Sequence, residues 1–274
     1  MEKLFLMVAF HKPYFNIESK DFAPIHVGKK LSNQDLGIIG DDTGENISDK
    51  NKNFCELTAL YWAWKNIDAE YYGLMHYRRY FMKPSSRISQ VNFKLIRKKI
   101  KSILNKKYLF NKNLVKKIEN QITAKNEIKK LQDFLIKEIQ NYDIFIPEPI
   151  LFKNSLKEQF TANHFEKDFY ILKQIVNEEC PLFNQIFNEV FNGNVLYAYN
   201  MFIMKSEYWD AYMNWLFRIL FKLKDRVDIS DYDLYQSRLF GFISERLFTV
   251  YFHYLKNDKN IKFKELPIMF FDWN

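Results

Sequence analysis

A chain of 274 residues, 47% hydrophobic and 27% charged, can bury a sizeable core in one large α/β domain or two small ones, which excludes a disordered polymer. Only 7 Gly and 7 Pro beside 27 Phe, 17 Tyr and 5 Trp argue against a loop-rich or repeat architecture, and no apolar run approaches the roughly 20 residues that cross a bilayer. The net charge of +8 is concentrated: Lys94 to Lys137 holds fourteen Lys and Arg against three acids, a surplus of eleven that leaves the rest of the chain at −3.

The N-terminal run MEKLFLMVAF is too short for a signal peptide and has no small-residue cleavage site, so Lys3 to Phe10 is expected to be a central strand. It ends in His11-Lys12-Pro13. Ligands gather at the carboxyl ends of such strands, which makes His11 and Lys12 candidates for a nucleotide or phosphate; the plain alternative is two solvated loop residues. Leu36 to Gly40 is expected as a second strand, followed by the acidic loop Gly40 to Asn46. Asn53 and Glu56 have the spacing of a capping box. Phe54, Leu57, Leu60, Tyr61 and Trp64 then recur at helical spacing toward the sheet, and Trp62 and Trp64 read as packing residues. After Asn66-Ile67-Asp68, Tyr72 to Tyr77 makes the next strand, and the unit resembles βαβ.

From Pro84 the character changes. Residues 84–140 are expected to form a basic helical insertion apart from the sheet, with Ile96, Ile100 and Ile103 on one face. Such a segment suits an anionic membrane surface, or is a solvated face over an apolar stripe. It lacks zinc-ligand spacing, an RNP-like motif and a helix-turn-helix pattern, so nucleic acid is not the expected partner. Beyond it the pattern predicts a strand at Tyr142 to Pro147 and a helix from Ser155 to Val176 with His164 as a structural residue. A strand at Asn194 to Met204, helices at Ser206 to Leu223 and Asp231 to Leu255, and a strand at Ile261 to Phe271 complete it. The alternation defines an α/β class: a mostly parallel sheet flanked by helices. Cys55 and Cys180, in apolar helical surroundings without metal-ligand spacing, read as reduced core residues of a cytoplasmic protein.

No GxxxxGK[ST], GxGxxG, HExxH or GxSxG motif is present. What remains is a set of charged and amide residues at strand ends. Arg78 and Arg79 follow a strand directly, and strand alternation turns them in different directions, so one is expected at a ligand and the other in an ion pair with Asp41 or Asp42. Asp41 and Asp42 suit a ribose, a sugar hydroxyl or a cation, but a turn needs such residues for backbone reasons as well. Asp231-Tyr232-Asp233 matches D-x-D, yet its place before a helix favours capping. Arg238 and Glu245 stand seven residues apart on one apolar helix. There Glu245 is either a general base or half of a structural ion pair with Arg238 or Arg246.

The stretches HKPY (from His11), IIGDDTGENIS (from Ile38), NFCELTALYWAWKN (from Asn53), YYGLMHYRRYF (from Tyr71), YNMFIM (from Tyr199) and RLFGFISERL (from Arg238) resemble a bacterial family of capsular-polysaccharide and lipopolysaccharide glycosyltransferases catalogued as a domain of unknown function. The resemblance spans nearly the whole chain and is weakest in the Lys-rich segment. It implies a single GT-A-like (Rossmann-type) domain over residues 1–274 that moves a hexosyl group from a nucleotide sugar, expected to be a UDP-sugar, to a glycan or lipid-linked acceptor in capsule, O-antigen or exopolysaccharide assembly. Galactofuranosyl transfer is associated with relatives. A GT-A enzyme usually carries D-x-D after a central strand, to hold Mn or Mg under the diphosphate. Here that strand end reads His76-Tyr77-Arg78-Arg79, with no acid, which leaves Mn or Mg as an open alternative without a well-placed D-x-D and suits cations that neutralise the leaving group. The implied site has Glu245, Arg78 and Arg79 as catalytic residues; His11, Asp41, Asp42, Asn46 and His76 at the donor; and Asn200 and Arg238 at the acceptor. The basic insertion would rest on the inner face of the plasma membrane. The competing readings are a sugar-phosphate transferase and a non-enzymatic basic protein that binds membrane or nucleic acid.

Overall fold

The computed structural model describes residues 2–14, 22–84, 115–257 and 261–272. Strand β1 (Glu2–Phe10) sends Phe5, Met7 and Ala9 into one core and Leu6, Val8 and Phe10 into another. A strand apolar on both faces has to be covered on both, which makes it central. Strand β2 (Phe22–His26), for which the sequence gives no signal, pairs parallel with β1. Strand β3 (Ile39–Gly40) is shorter than expected and pairs parallel with β2.

Helices α1 (Asn51–Phe54) and α2 (Leu57–Asn66) are broken apart at Cys55, whose φ of 53° lies in the left-handed region. The predicted capping box is therefore not formed. Asn53 sits inside α1 and donates to the Ser237 carbonyl at 2.9 Å, while Glu56 precedes α2 with no capping hydrogen bond. Strand β4 (Ala69–His76) pairs parallel with β1 on the side opposite β2. It turns back through Tyr77-Arg78 into β5 (Arg79–Phe81).

The described part of the segment expected to stand apart from the sheet, from residue 115 on, joins it. Strand β6 (Val115–Ile118) pairs parallel with the last strand, and helix α3 (Gln121–Glu138) starts on Asn120, whose Oδ1 accepts from Thr123 N at 2.8 Å. Ala124, Ile128, Leu131 and Leu135 of α3 are buried in the core that also takes Leu6, Val8 and Phe10. Ile96, Ile100 and Ile103 lie outside the described residues.

Strand β7 (Ile144–Pro147) follows, then β8 (Ile150–Leu151), which pairs with β9 (Val195–Leu196) in a separate small sheet. The single helix expected from Ser155 to Val176 is two, α4 (Leu156–Thr161), opened by a Ser155–Glu158 capping box, and α5 (Glu166–Glu179), and an unexpected α6 (Asn184–Asn192) follows. Strand β10 (Phe202–Lys205) leads directly into α7 (Ser206–Arg226), and α8 (Leu239–Asn257) starts later than predicted, after a turn over Asp231 to Arg238. The expected terminal strand is divided at Pro267 into β11 (Phe263–Leu266) and β12 (Ile268–Phe271). Proline has no N–H to give a ladder, and its carbonyl instead accepts from Met82 N at 2.8 Å.

Seven strands follow the order β11-β7-β10-β4-β1-β2-β3, and β12 attaches through β5 and carries β6, giving ten among the described residues. The sheet is mostly parallel, with β10 running against both its neighbours. The carboxyl ends of β1 and β4 open on the same edge, with Ala9 beside His76.

Candidate active site at the carboxyl edge of the sheet

Three non-glycine residues have positive φ among the described residues: Cys55, Tyr199 (73°) and Asn200 (51°). Strained backbone of this kind persists only where its surroundings enforce it, and it clusters at functional sites. All three meet at the ends of β1 and β4.

Tyr199 is the hub. Its N–H donates to Glu245 Oε1 at 3.0 Å and its carbonyl lies 2.6 Å from His76 Nε2. A carbonyl only accepts, so Nε2 carries the hydrogen and Nδ1 keeps a lone pair. Burial depresses the His76 pKa, which favours that neutral ring. The Arg79 guanidinium lies 5.0 Å from the centre of the Tyr199 ring, and it makes no hydrogen bond or ion pair among the described residues.

Asn200 is 1% exposed and does not line an open surface. Its Oδ1 accepts from Ser244 Oγ at 2.9 Å and its Nδ2 donates to Glu56 Oε1 at 2.7 Å. Glu56 is the residue that pattern reading missed. The left-handed Cys55 kink turns it out of the cap position, and its charge acts on His11, His76, Arg238 and Glu245 together. A Glu at capping-box spacing hid it, and no local signal exposes it, since Cys is not a residue that breaks helices.

Glu245 has its pKa pushed up to about 7, first by burial and then, among its charged neighbours, by Glu56. It forms no ion pair with Arg238 or Arg246 among the described residues; the Arg246 guanidinium donates to the Phe242 carbonyl at 2.6 Å and to Gln159. Arg238 rests its Nε on Cys55 Sγ at 3.3 Å. Burial lifts the Cys55 thiol to about 11, so it remains a thiol. His11 packs edge-on against Tyr77 with ring centres 4.9 Å apart, and burial, followed by Lys12 and Arg238, lowers its pKa.

The structure thus brings together His11, His76, Arg79, Asn200, Arg238 and Glu245, and adds Glu56 and Tyr199. It leaves four expected residues elsewhere. Arg78 turns away from Arg79, donates from Nε to the Phe271 carbonyl at 3.0 Å and meets Asp272 at 3.3 Å, so its ion pair is with Asp272 and not with Asp41 or Asp42. Asp41 is fully buried and accepts from Gly28 N, Lys29 N and Ser48 Oγ, which ties its own loop together. Asp42 is exposed, and Asn46 spends its amide on the carbonyls of Asp42 and Gly44. That loop follows β3, three strands from β4, or about 14 Å at ordinary strand spacing.

The D-x-D candidate also serves structure. Asp233 Oδ1 accepts from Tyr235 N at 2.8 Å and Gln236 N at 2.7 Å, and the Tyr232 hydroxyl donates to Asp168. Among the described residues no group of three or more His, Cys, Asp or Glu side chains is placed to hold a metal ion. The described residues at this edge do not make the acid set of a GT-A metal.

This is a GT-A-like α/β protein with a polar site at the sheet's carboxyl edge. The chain belongs to the family described as a domain of unknown function, DUF4422, whose profile matches residues 5–259. It is similar, at 27% identity and a TM-score of 0.78, to a solved structure, the apo form of the bifunctional glycosyltransferase WbbM. That likeness covers 99% of this chain and 46% of the WbbM chain, so this chain spans less than half of it. No curated protein matches the chain.

Proposed function

We propose that the chain is a glycosyltransferase that moves a hexosyl group from a nucleotide sugar to a glycan or lipid-linked acceptor of surface-polysaccharide assembly. The observation that supports this most is the set of catalysis-type side chains around the left-handed Tyr199-Asn200 segment, in a chain similar over 99% of its length to a glycosyltransferase. UDP is the proposed nucleotide, and a galactofuranosyl donor is the first to test.

In this reading the acceptor oxygen attacks the anomeric carbon and its proton passes to Glu245, whose pKa of about 7 suits a base near neutrality. The bond from that carbon to the diphosphate oxygen breaks, and the electron pair leaves with the diphosphate. Arg79 faces that charge and stabilises it as it develops, His11 adds a hydrogen bond beside it, and Arg238 borders the acceptor. Arg78 supports the hairpin from behind. Cationic side chains take the place of a metal, so turnover should be the same with manganese and with a chelator.

Arg79→Ala should lower kcat/KM on the order of 10²–10³-fold, the usual loss of one charge-stabilising donor, with the fold unchanged by circular dichroism. Unchanged turnover would remove Arg79 from the site. Release of nucleoside monophosphate in place of diphosphate would instead favour a sugar-phosphate transferase.

The outer face of α3 is proposed as a peripheral membrane contact. Ile122 and Ile136 are 76% and 63% exposed, with the exposed Lys129 midway between them. No helix among the described residues is long and apolar enough to cross a membrane.

A further inference from the structure

The turn before α8 is built more rigidly than a connection requires. Asp233 fixes the backbone of Tyr235 and Gln236 from one carboxylate oxygen, and its carbonyl accepts from Ser237 N at 2.8 Å. Gln236 clamps the turn to the α4–α5 junction: its Nε2 donates to the Asn163 carbonyl at 2.8 Å, and its Oε1 accepts from His164 Nδ1 at 3.0 Å. Asn53 then holds the Ser237 carbonyl from α1.

What this scaffold presents is an aromatic ring. Tyr235 is 53% exposed, yet its inner side is backed by Phe242 (centres 4.9 Å apart) and by His164, stacked nearly parallel at 6.0 Å. Phe160 lies under His164 at 4.8 Å. Burial drives the His164 pKa down to about 4, so the ring beneath Tyr235 is uncharged at neutral pH. Beside the pile, the Arg238 guanidinium lies 5.6 Å from the Phe242 ring, with only its Nε engaged in a hydrogen bond among the described residues. Arg238 also belongs to the cluster with Glu56 and His76, so the ledge runs straight into the site.

We propose that Tyr235, backed by Phe242 and His164 and flanked by Arg238, is the platform on which a sugar ring of the acceptor stacks. This rests on the transferase reading above. A sugar ring has one face lined by C–H groups and an edge of hydroxyls. It matches a single rigid aromatic face with a hydrogen-bond donor at its rim. A protein partner would need roughly 800 Å² of complementary surface on each side, far more than one tyrosine ring.

The test is saturation-transfer NMR of the whole chain with methyl β-D-galactopyranoside and with lactose, which does not depend on turnover. Wild type and Tyr235→Trp should saturate the sugar ring protons. Tyr235→Ala should weaken binding about tenfold, the equivalent of about 1.4 kcal/mol, and Leu234→Ala, which alters the more exposed neighbour (84%), should not. Circular dichroism checks that each variant is folded. No saturation in wild type, equal saturation in Tyr235→Ala, or an equal loss in Leu234→Ala would overturn the proposal. Failure of every nucleotide sugar to turn over would sink the transferase reading while leaving this binding result standing.

Discussion

Two glutamates, Glu56 just before α2 and Glu245 on α8, stand close enough for the charge of one to act on the other. Glu245 is held by a single backbone N–H, and burial together with the Glu56 charge raises its pKa to about 7. Glu56 is held by Asn200 on one oxygen. When two like charges crowd a site, removing one makes the other easier to ionise. Glu56→Gln keeps an oxygen for Asn200 and removes the charge, so the Glu245 pKa should fall below 7. Glu245 works as a base in its ionised form, and the acid limb of the kcat/KM profile should therefore move to lower pH. A limb that stays in place, measured from pH 5 to 8, would show that Glu245 is not the group that titrates. Glu245→Gln should abolish the limb along with most of the turnover.

At the scale of elements, the register of β4 against β1 and β10 places His76, and Gly73 sets how closely those strands approach. A Cβ at Gly73 would lie 2.6 Å from Leu6 Cδ1 and 2.8 Å from the Phe202 carbonyl oxygen, and the latter is backbone that cannot swing aside. Gly73→Ala should therefore destabilise the protein by about 2 kcal/mol, the usual cost of overpacking a close-packed interior, read from the midpoint of urea unfolding. An unchanged midpoint would mean that the strands separate freely. The elements that the sequence made readable are those whose residues carry a local period. Strand β1, helix α2, strands β4 and β7 and helix α7 fall close to where the apolar spacing puts them. Strand β2 was missed because FAPIH contains a proline and no alternation, and its partner β1 decides its state. The reversal of β10 follows from pairing between distant segments, which no window of sequence contains, whereas the division of the last strand has a local cause in Pro267 that the apolar pattern masked. The same holds for the site. His11, His76, Arg79, Asn200, Arg238 and Glu245 were readable as polar residues at strand ends or in apolar settings. The roles of Glu56 and Tyr199 come from positive φ angles that composition does not announce. Asp41 was misread because an acid that closes a loop and an acid that binds a ligand look alike in sequence.

For the molecule as a whole, the charge asymmetry that first marked the basic segment now has a partial explanation. The described part of that segment is built into the fold through β6 and through the buried face of α3, so it is not an appendage. Its outward face remains. Ile122, Lys129 and Ile136 follow one another at intervals of seven, two helical turns each, and form a single line along α3. Two exposed isoleucines on a helix that already has a buried face leave apolar surface in water for no packing gain, and an interface with lipid gives them a place. The lysines set the sign of the lipid, each adding about 1 kcal/mol near an anionic surface within a Debye length. The chain should therefore sediment with vesicles that contain phosphatidylglycerol and not with pure phosphatidylcholine, and salt should weaken the binding. Ile122→Asp with Ile136→Asp should release it from the vesicles while leaving transfer to a water-soluble acceptor intact, since neither residue is among those gathered around Tyr199. Retention of the double variant on anionic vesicles would place the membrane contact elsewhere, and binding that ignores lipid charge would show that the lysines of α3 have no part in it.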